Sequence, residues 1–207
     1  EHARGGFDHL VLADTLPMFM APAFHHAEAF SEALAGGVWG GFVARIAERV
    51  RRAVDLEHWA AFDHSFRKLC ELLVSLSAGE RGAPPASIVC LGGDVHHAYA
   101  ARVDAGGGSA VWQAVCSPLR NPLEHKERRQ VRMGFSPRLG RVVRRLAARA
   151  GVPEPPVSWE PTDGPYFDNQ VATLRIEGRR SFLHIERTTD GGWRRPRLTT
   201  TLERELT

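Results

Sequence analysis

Residues 87–97 read Ser-Ile-Val-Cys-Leu-Gly-Gly-Asp-Val-His-His, and this stretch decides the fold. Ile88, Val89, Cys90 and Leu91 form a short unbroken apolar run, with Pro84 and Pro85 before it and Gly92 and Gly93 after it. A run of that length between such residues is how a strand covered on both faces reads. The two glycines allow a sharp turn, and the first groups beyond them are the carboxylate of Asp94 and the imidazoles of His96 and His97. Polar side chains therefore gather at the carboxyl end of a strand, where open α/β sheets form their ligand crevices. An extended backbone would turn Asp94 and His96 to one side and His97 to the other. A carboxylate oxygen beside an imidazole nitrogen suits a divalent or trivalent cation with an open coordination position. The same residues also have a plain reading, in which Asp94 caps the turn and His96 is a loop histidine.

Upstream, residues 7–12 (FDHLVL) read as a strand and Asp14 as a turn-forming residue at its end. His25 and His26 sit in an alanine-rich apolar stretch; neighbours on a helix diverge by about 100°, so they read as structural and not as two ligands of one ion. Val38, Phe42, Ile46 and Val50 recur every four residues, the pattern of an amphipathic helix with Arg45, Glu48, Arg49 and Arg52 outward. Asp55 is a plausible N-cap for the next helix, whose stripe of Trp59, Phe62, Phe66, Leu69, Leu73 and Leu76 belongs in a core. Glu57, His58, Asp63 and His64 lie off that stripe and read as solvated.

Downstream, residues 98–103 and 109–115 flank three glycines as a hairpin, which ends in Ser117-Pro118-Leu119-Arg120-Asn121-Pro122. That places a hydroxyl, an amide and the planar fork of Arg120 at another strand end, where Arg120 could grip a phosphate. Residues 137–150 read as an amphipathic helix, and the proline-rich residues 152–161 as a surface linker. Residues 171–176 and 181–187 form a second hairpin, with a turn at Asp190-Gly191-Gly192 and a last strand or loose tail after it. The structural role expected of Asp168 and Asn169 is to pin this hairpin to the main sheet. No Walker A, GxGxxG, GxSxG or zinc-finger spacing occurs, which argues against P-loop, Rossmann, serine-hydrolase and finger functions.

The 207 residues are 43% hydrophobic and 25% charged, the composition of a globular domain with a real core. No apolar run approaches the length of a transmembrane helix. The cysteines, Cys70, Cys90 and Cys116, lack metal-type spacing and read as buried thiols in a reducing compartment, which favours a cytoplasmic location. A chain that opens on Glu1 without an initiator methionine is expected to lack its native N-terminus. Basic residues dominate residues 120–149, where arginines face only Glu124 and Glu127. That segment supports an alternative function as a non-catalytic module binding anions or nucleic acid; nucleic acid is the weaker partner, because Phe135 is the one aromatic there suited to stacking on a base.

Residues 92–103, GGDVHHAYAARV, resemble the last metal-binding motif of the PhoD-like (alkaline phosphatase D) branch of the calcineurin-like metallophosphoesterases, in which a buried strand ends in Gly-Asp-Val-His. Four more stretches are similar to actinobacterial relatives in the expected order: FDHLVLADTLP, HHAEAFSEALAGGVWG, VDLEHWAAFDHSF and PYFDNQVATL. The resemblance implies part of a metallophosphatase-type α/β sandwich with a C-terminal β-hairpin. Residues 1–150 would be the C-terminal part of the catalytic domain, and residues 151–207 a linker and hairpin completing it. It further implies hydrolysis of a phosphorylated small molecule or phosphodiester by metal-activated water, with Ca, Fe, Mn or Zn as the ion. Asp94 and His96 match the motif as metal ligands. His97 is expected behind the ligands or facing phosphate, and Arg120 on the phosphate. Family members carry their other ligands upstream of the equivalent of Phe7, in Asp-rich motifs such as GDxxYxDD, and residues 1–86 hold nothing similar. The chain is therefore expected to be the C-terminal portion of a longer phosphatase and inactive alone.

Overall fold

The computed structural model describes residues 6–54, 58–189, 195 and 197–207. Strand β2 (Ser87–Gly92) lies inside a mixed sheet, in parallel register with β1 (His9–Ala13) on one side and β4 (Ala110–Val115) on the other. The hairpin partner of β4, β3 (Ala98–Asp104), pairs antiparallel beyond it, and β5 (Ser158–Tyr166) closes the order β1-β2-β4-β3-β5. The chain then forms a second, antiparallel sheet of β6 (Gln170–Glu177), β7 (Arg180–Thr189) and β8 (Arg197–Glu205). The fold is thus α/β, with a five-stranded mixed sheet and a separate three-stranded sheet built on a C-terminal hairpin.

Period-two alternation along β2 explains how one apolar run serves two layers. Ile88 and Cys90 face helix α3 (Asp63–Ser77) and meet Phe66, Cys70, Leu73 and Leu76. Val89 faces the other way and joins Ala98, Ala100 and Trp112 against Leu183, Ile185 and Leu202 of the second sheet and Leu206 just after it. Polar contacts hold the layers in register: Trp112 Nε1 donates to the Leu206 carbonyl at 2.8 Å, and the Ser87 and Ser181 hydroxyls lie 3.0 Å apart. Buried Phe19 is fixed through its own backbone, its N–H donating to Gln113 Oε1 at 3.1 Å and its carbonyl accepting from Tyr99 Oη at 2.8 Å.

Helix α1 (Pro22–Ala35) begins with proline in its first turn, where no intrahelical N–H partner is needed, and packs on α2 (Gly41–Val54). The stripe expected to bury α2 is not covered: Val38, Phe42 and Ile46 are all exposed, and the one buried side chain of α2 among the described residues is Ala47, off that stripe. The proposed Asp55 cap lies outside the described residues, as do Glu57 and the 190–192 turn. Off the α3 stripe, His58 is not simply solvated, because its Nδ1 lies 2.7 Å from Glu28 Oε1 and Glu28 is buried. His25 and His26 are also buried, with rings 5.6 Å apart and nearly perpendicular. His25 packs at 4.8 Å against both Phe66 and Trp159.

Burial, reinforced by His26 and then Arg67, lowers the pKa of His25 from 6.5 to about 3. The unfolded chain therefore binds a proton that the fold refuses, so stability is full above pH 6.5 and falls as pH drops from there toward 3. For one histidine the loss is about 2 kcal/mol between pH 7 and pH 5. Urea midpoints measured at those two pH values are expected to show it in the wild type and to show a proton less of dependence in His25→Leu.

Two segments depart from the expectations drawn from sequence. Residues 158–161, read as linker, already belong to β5 and pair with β3. Prolines are tolerated there because β5 is an edge strand, whose outer N–H groups need no partner. Residues 125–134 form a further helix, α4 (His125–Gly134), which too few apolar residues betray; a capping box between Glu124 and Glu127 starts it. Helix α5 (Pro137–Arg149) follows, with Ser136 as its N-cap. Among the described residues no helix is long and apolar enough to cross a membrane. Cys70, Cys90 and Cys116 are free thiols, which burial pushes up to about 12, 12 and 11.

Candidate metal and phosphate site

The backbone beyond β2 does not stay extended. Asp94 (φ 56°) and His96 (φ 55°) both adopt the left-handed conformation, so the simple alternation of sides fails at residues 94–97. Non-glycine residues rarely take that conformation, although Asp and His tolerate it better than most. A second loop, residues 116–121, leaves the adjacent end of β4 and contains another such residue, Asn121 (φ 66°). The two loops are stitched together: Cys116 N–H donates to the Gly92 carbonyl at 3.2 Å, Val95 N–H donates to Ser117 Oγ at 3.2 Å, and His96 Nδ1 lies 3.3 Å from the Asn121 carbonyl. Asp94 and His96 are both exposed at this rim. Arg120, one residue before Asn121, is exposed and makes no ion pair or hydrogen bond among the described residues. The sequence-marked Asp94, His96 and Arg120 thus share one end of the sheet.

His97 behaves differently. It is buried, and its Nδ1–H donates to the Val95 carbonyl at 2.6 Å, which leaves the lone pair on Nε2. Its ring stacks on Tyr99 at 5.5 Å and meets the edge of Phe135 at 5.6 Å. Burial depresses its pKa to about 4, partly offset by the bond to Val95 and deepened by His96 and His58. His97 is therefore a neutral, packed imidazole beneath the loop, and it does not present itself at the rim. Tyr99 and Phe135 complete this platform; the sequence marked Phe135 only as the aromatic of residues 120–149 suited to stacking on a base, and nothing in its spacing pointed to His97.

Asp14 closes the neighbouring loop after β1. Its Oδ1 accepts from Thr15 N–H at 2.6 Å and its Oδ2 from Trp59 Nε1 at 3.1 Å, in keeping with a turn residue. Of the arginines in residues 120–149, Arg128 and Arg132 lie over the Phe167 ring at 5.7 and 5.0 Å, and Arg144 Nε donates between the two carboxylate oxygens of Glu154, 2.9 Å from each. These side chains are committed to the fold.

The second sheet is attached to the site through Gln170 more than through Asp168. Gln170 Nε2 donates to the carbonyls of Ser117 (3.1 Å) and Tyr166 (3.0 Å), and its backbone N–H to Pro118 (3.1 Å). Asp168 instead accepts from Arg187 at 3.2 Å and lies 3.7 Å from Arg128, half exposed. Gln170→Ala leaves two carbonyls without their donor and is expected to cost about 2–3 kcal/mol, against about 1 kcal/mol or less for Asp168→Ala. Paired urea denaturation curves decide the order; an equal or reversed cost would return the anchoring role to Asp168.

Asp94 and His96 offer one carboxylate and one imidazole, donors that suit Ca, Fe, Mn or Zn in combination. Among the described residues no group of three or more His, Cys, Asp or Glu side chains is placed to hold an ion. The pair therefore fits an ion only as two members of a larger ligand set. Comparison with known proteins returns no matching family model, no similar curated protein and no similar solved structure.

Proposed function

We propose that this chain contributes the Asp94–His96 rim of a metal-dependent phosphoesterase centre. The observation that carries the reading is the coincidence of three left-handed non-glycine residues, Asp94, His96 and Asn121, on two adjoining loops at the carboxyl end of the sheet. Each such conformation costs on the order of 1 kcal/mol or more, and strain of this kind collects where side chains must be aimed. Asp94 and His96 would be two ligands, with further ligands from outside the described residues, since a catalytic ion generally takes three protein ligands or more. Held there, an ion would supply the polarisation of a phosphoryl oxygen and a lowered pKa for water near neutral pH. Within this chain, Arg120 is exposed on the 116–121 loop, makes no ion pair or hydrogen bond among the described residues, and would orient a phosphate through its planar fork. His97, neutral and locked by Val95 and Tyr99, fixes the loop from beneath.

Hydrolysis of p-nitrophenyl phosphate and bis-p-nitrophenyl phosphate with Mn²⁺, Ca²⁺, Zn²⁺ or Fe³⁺ tests this. The 207 residues alone are expected to turn over well below about 1 s⁻¹, the lower end of ordinary enzymes. Joined to a segment that supplies the missing ligands, the chain is expected to be active and Asp94→Asn to remove metal and activity together. Full activity in Asp94→Asn, His96→Ala would refute the reading.

A further inference from the structure

A cavity of about 360 Å³ opens between α1, α5 and the edge strand β5, apart from the Asp94–His96 rim. Its volume is that of a small-molecule site. Phe135 and Trp159 are its aromatic lining residues, with prolines around them. The polar groups on its lining are His26, Arg141, Arg144 and Glu160 among others, and they are not equivalent. Arg144 is already held by Glu154. Arg141 donates from Nε to the Pro137 carbonyl at 3.4 Å, and its two terminal nitrogens have no partner among the described residues.

His26 makes the cavity more than a surface dent. It is 9% exposed, yet neither ring nitrogen makes a hydrogen bond among the described residues. Neither nitrogen is among the sealed, unpartnered polar atoms of the described residues, so both stay open to whatever fills the cavity. Burial lowers its pKa, with Glu154 opposing and Arg144 adding to the effect, so a neutral ring with one donor and one acceptor faces the cavity.

We propose that this cavity is a binding site for a small planar aromatic molecule bearing one anionic group. The aromatic body lies between Phe135 and Trp159 and meets His26, and the anion pairs with the free end of Arg141. The site shares Phe135 with the packing around His97 but none of the residues proposed to hold metal or phosphate, so it stands or falls independently of the phosphoesterase reading.

Calorimetric titration of the 207-residue chain with 2-naphthoate, 2-naphthalenemethanol and 2-naphthylmethylamine tests the proposal. The carboxylate is expected to bind one saturable site with Kd of about 1 mM or tighter, the affinity open to a ligand of this size. The alcohol and the amine should bind roughly tenfold more weakly or worse, the amine isolating any attraction from Glu160. Arg141→Ala, at an exposed position, should erase the advantage of the carboxylate, and Phe135→Leu, which keeps an apolar side chain but removes the ring face, should weaken binding of all three roughly tenfold. The double variant Asp94→Asn, His96→Ala should bind naphthoate as the wild type does. No saturable binding up to 5 mM, equal affinity for the amine, or unchanged binding in Phe135→Leu would overturn the site.

Discussion

Gly92→Val is expected to lower stability by about 3 kcal/mol or more and to dislodge the turn that carries Asp94 and His96. A Cβ at position 92 would lie 2.8 Å from Pro17 Cα, 2.9 Å from Pro17 N and 3.2 Å from Gln113 Nε2. Two of those atoms are backbone, and that backbone cannot retreat cheaply. It is tied to the same strand end by Asp14 N–H donating to the Leu91 carbonyl (3.1 Å) and Gly93 N–H donating to the Thr15 carbonyl (3.0 Å). Gly92 is therefore required by close approach and not by its own dihedral angles, and alanine, which brings the same Cβ, should already cost most of what valine does. Urea unfolding with an unchanged m-value measures the effect. A loss under 1 kcal/mol in Gly92→Ala would mean that the β1 loop can move away.

The second large effect is expected at Tyr99. This side chain is fully buried, carries the platform beneath His97, and donates to the carbonyl of buried Phe19. Tyr99→Ala removes the ring and the donor at once and should cost about 3–5 kcal/mol. Tyr99→Phe keeps the ring, leaves the Phe19 carbonyl unpaired, and should cost about 1–2 kcal/mol. Near-equal losses in the two variants would show that the hydrogen bond, and not the packing, carries the site.

Much of this scaffold could be read from the chain because its signals are local. The β2 run between prolines and glycines, the three-and-four stripe from Phe66 to Leu76, and the hairpin around three glycines each declare themselves within a dozen residues. Apolar periodicity sees less where polar contacts make the structure. Helix α4 is started by a carboxylate capping box and covered by arginines lying on Phe167, so its moderate number of apolar residues gave no stripe. Residues 158–161 were obscured by prolines, which an edge strand tolerates. His58 stood off the α3 stripe and read as solvated, because nothing in spacing announces the buried carboxylate of Glu28 across the fold.

The site divides in the same way. Asp94, His96 and Arg120 were legible as polar residues following strands, which is a statement about topology. Their aim was not legible, because left-handed backbone at Asp94 and His96 depends on the neighbouring 116–121 loop that receives Val95 N–H. Burial of His97 followed from that bend together with Tyr99 and Phe135, a contact between segments almost forty residues apart in sequence.

The central claim is that Asp94 and His96 are metal ligands. Mn²⁺ added at low, substoichiometric amounts to the isotope-labelled chain tests it most directly, since a paramagnetic ion broadens amide signals near it even when two ligands hold it weakly. The account predicts selective broadening at residues 93–97 and 117–121, lost in the Asp94→Asn, His96→Ala variant. Broadening centred elsewhere, or persisting unchanged in that variant, would contradict it.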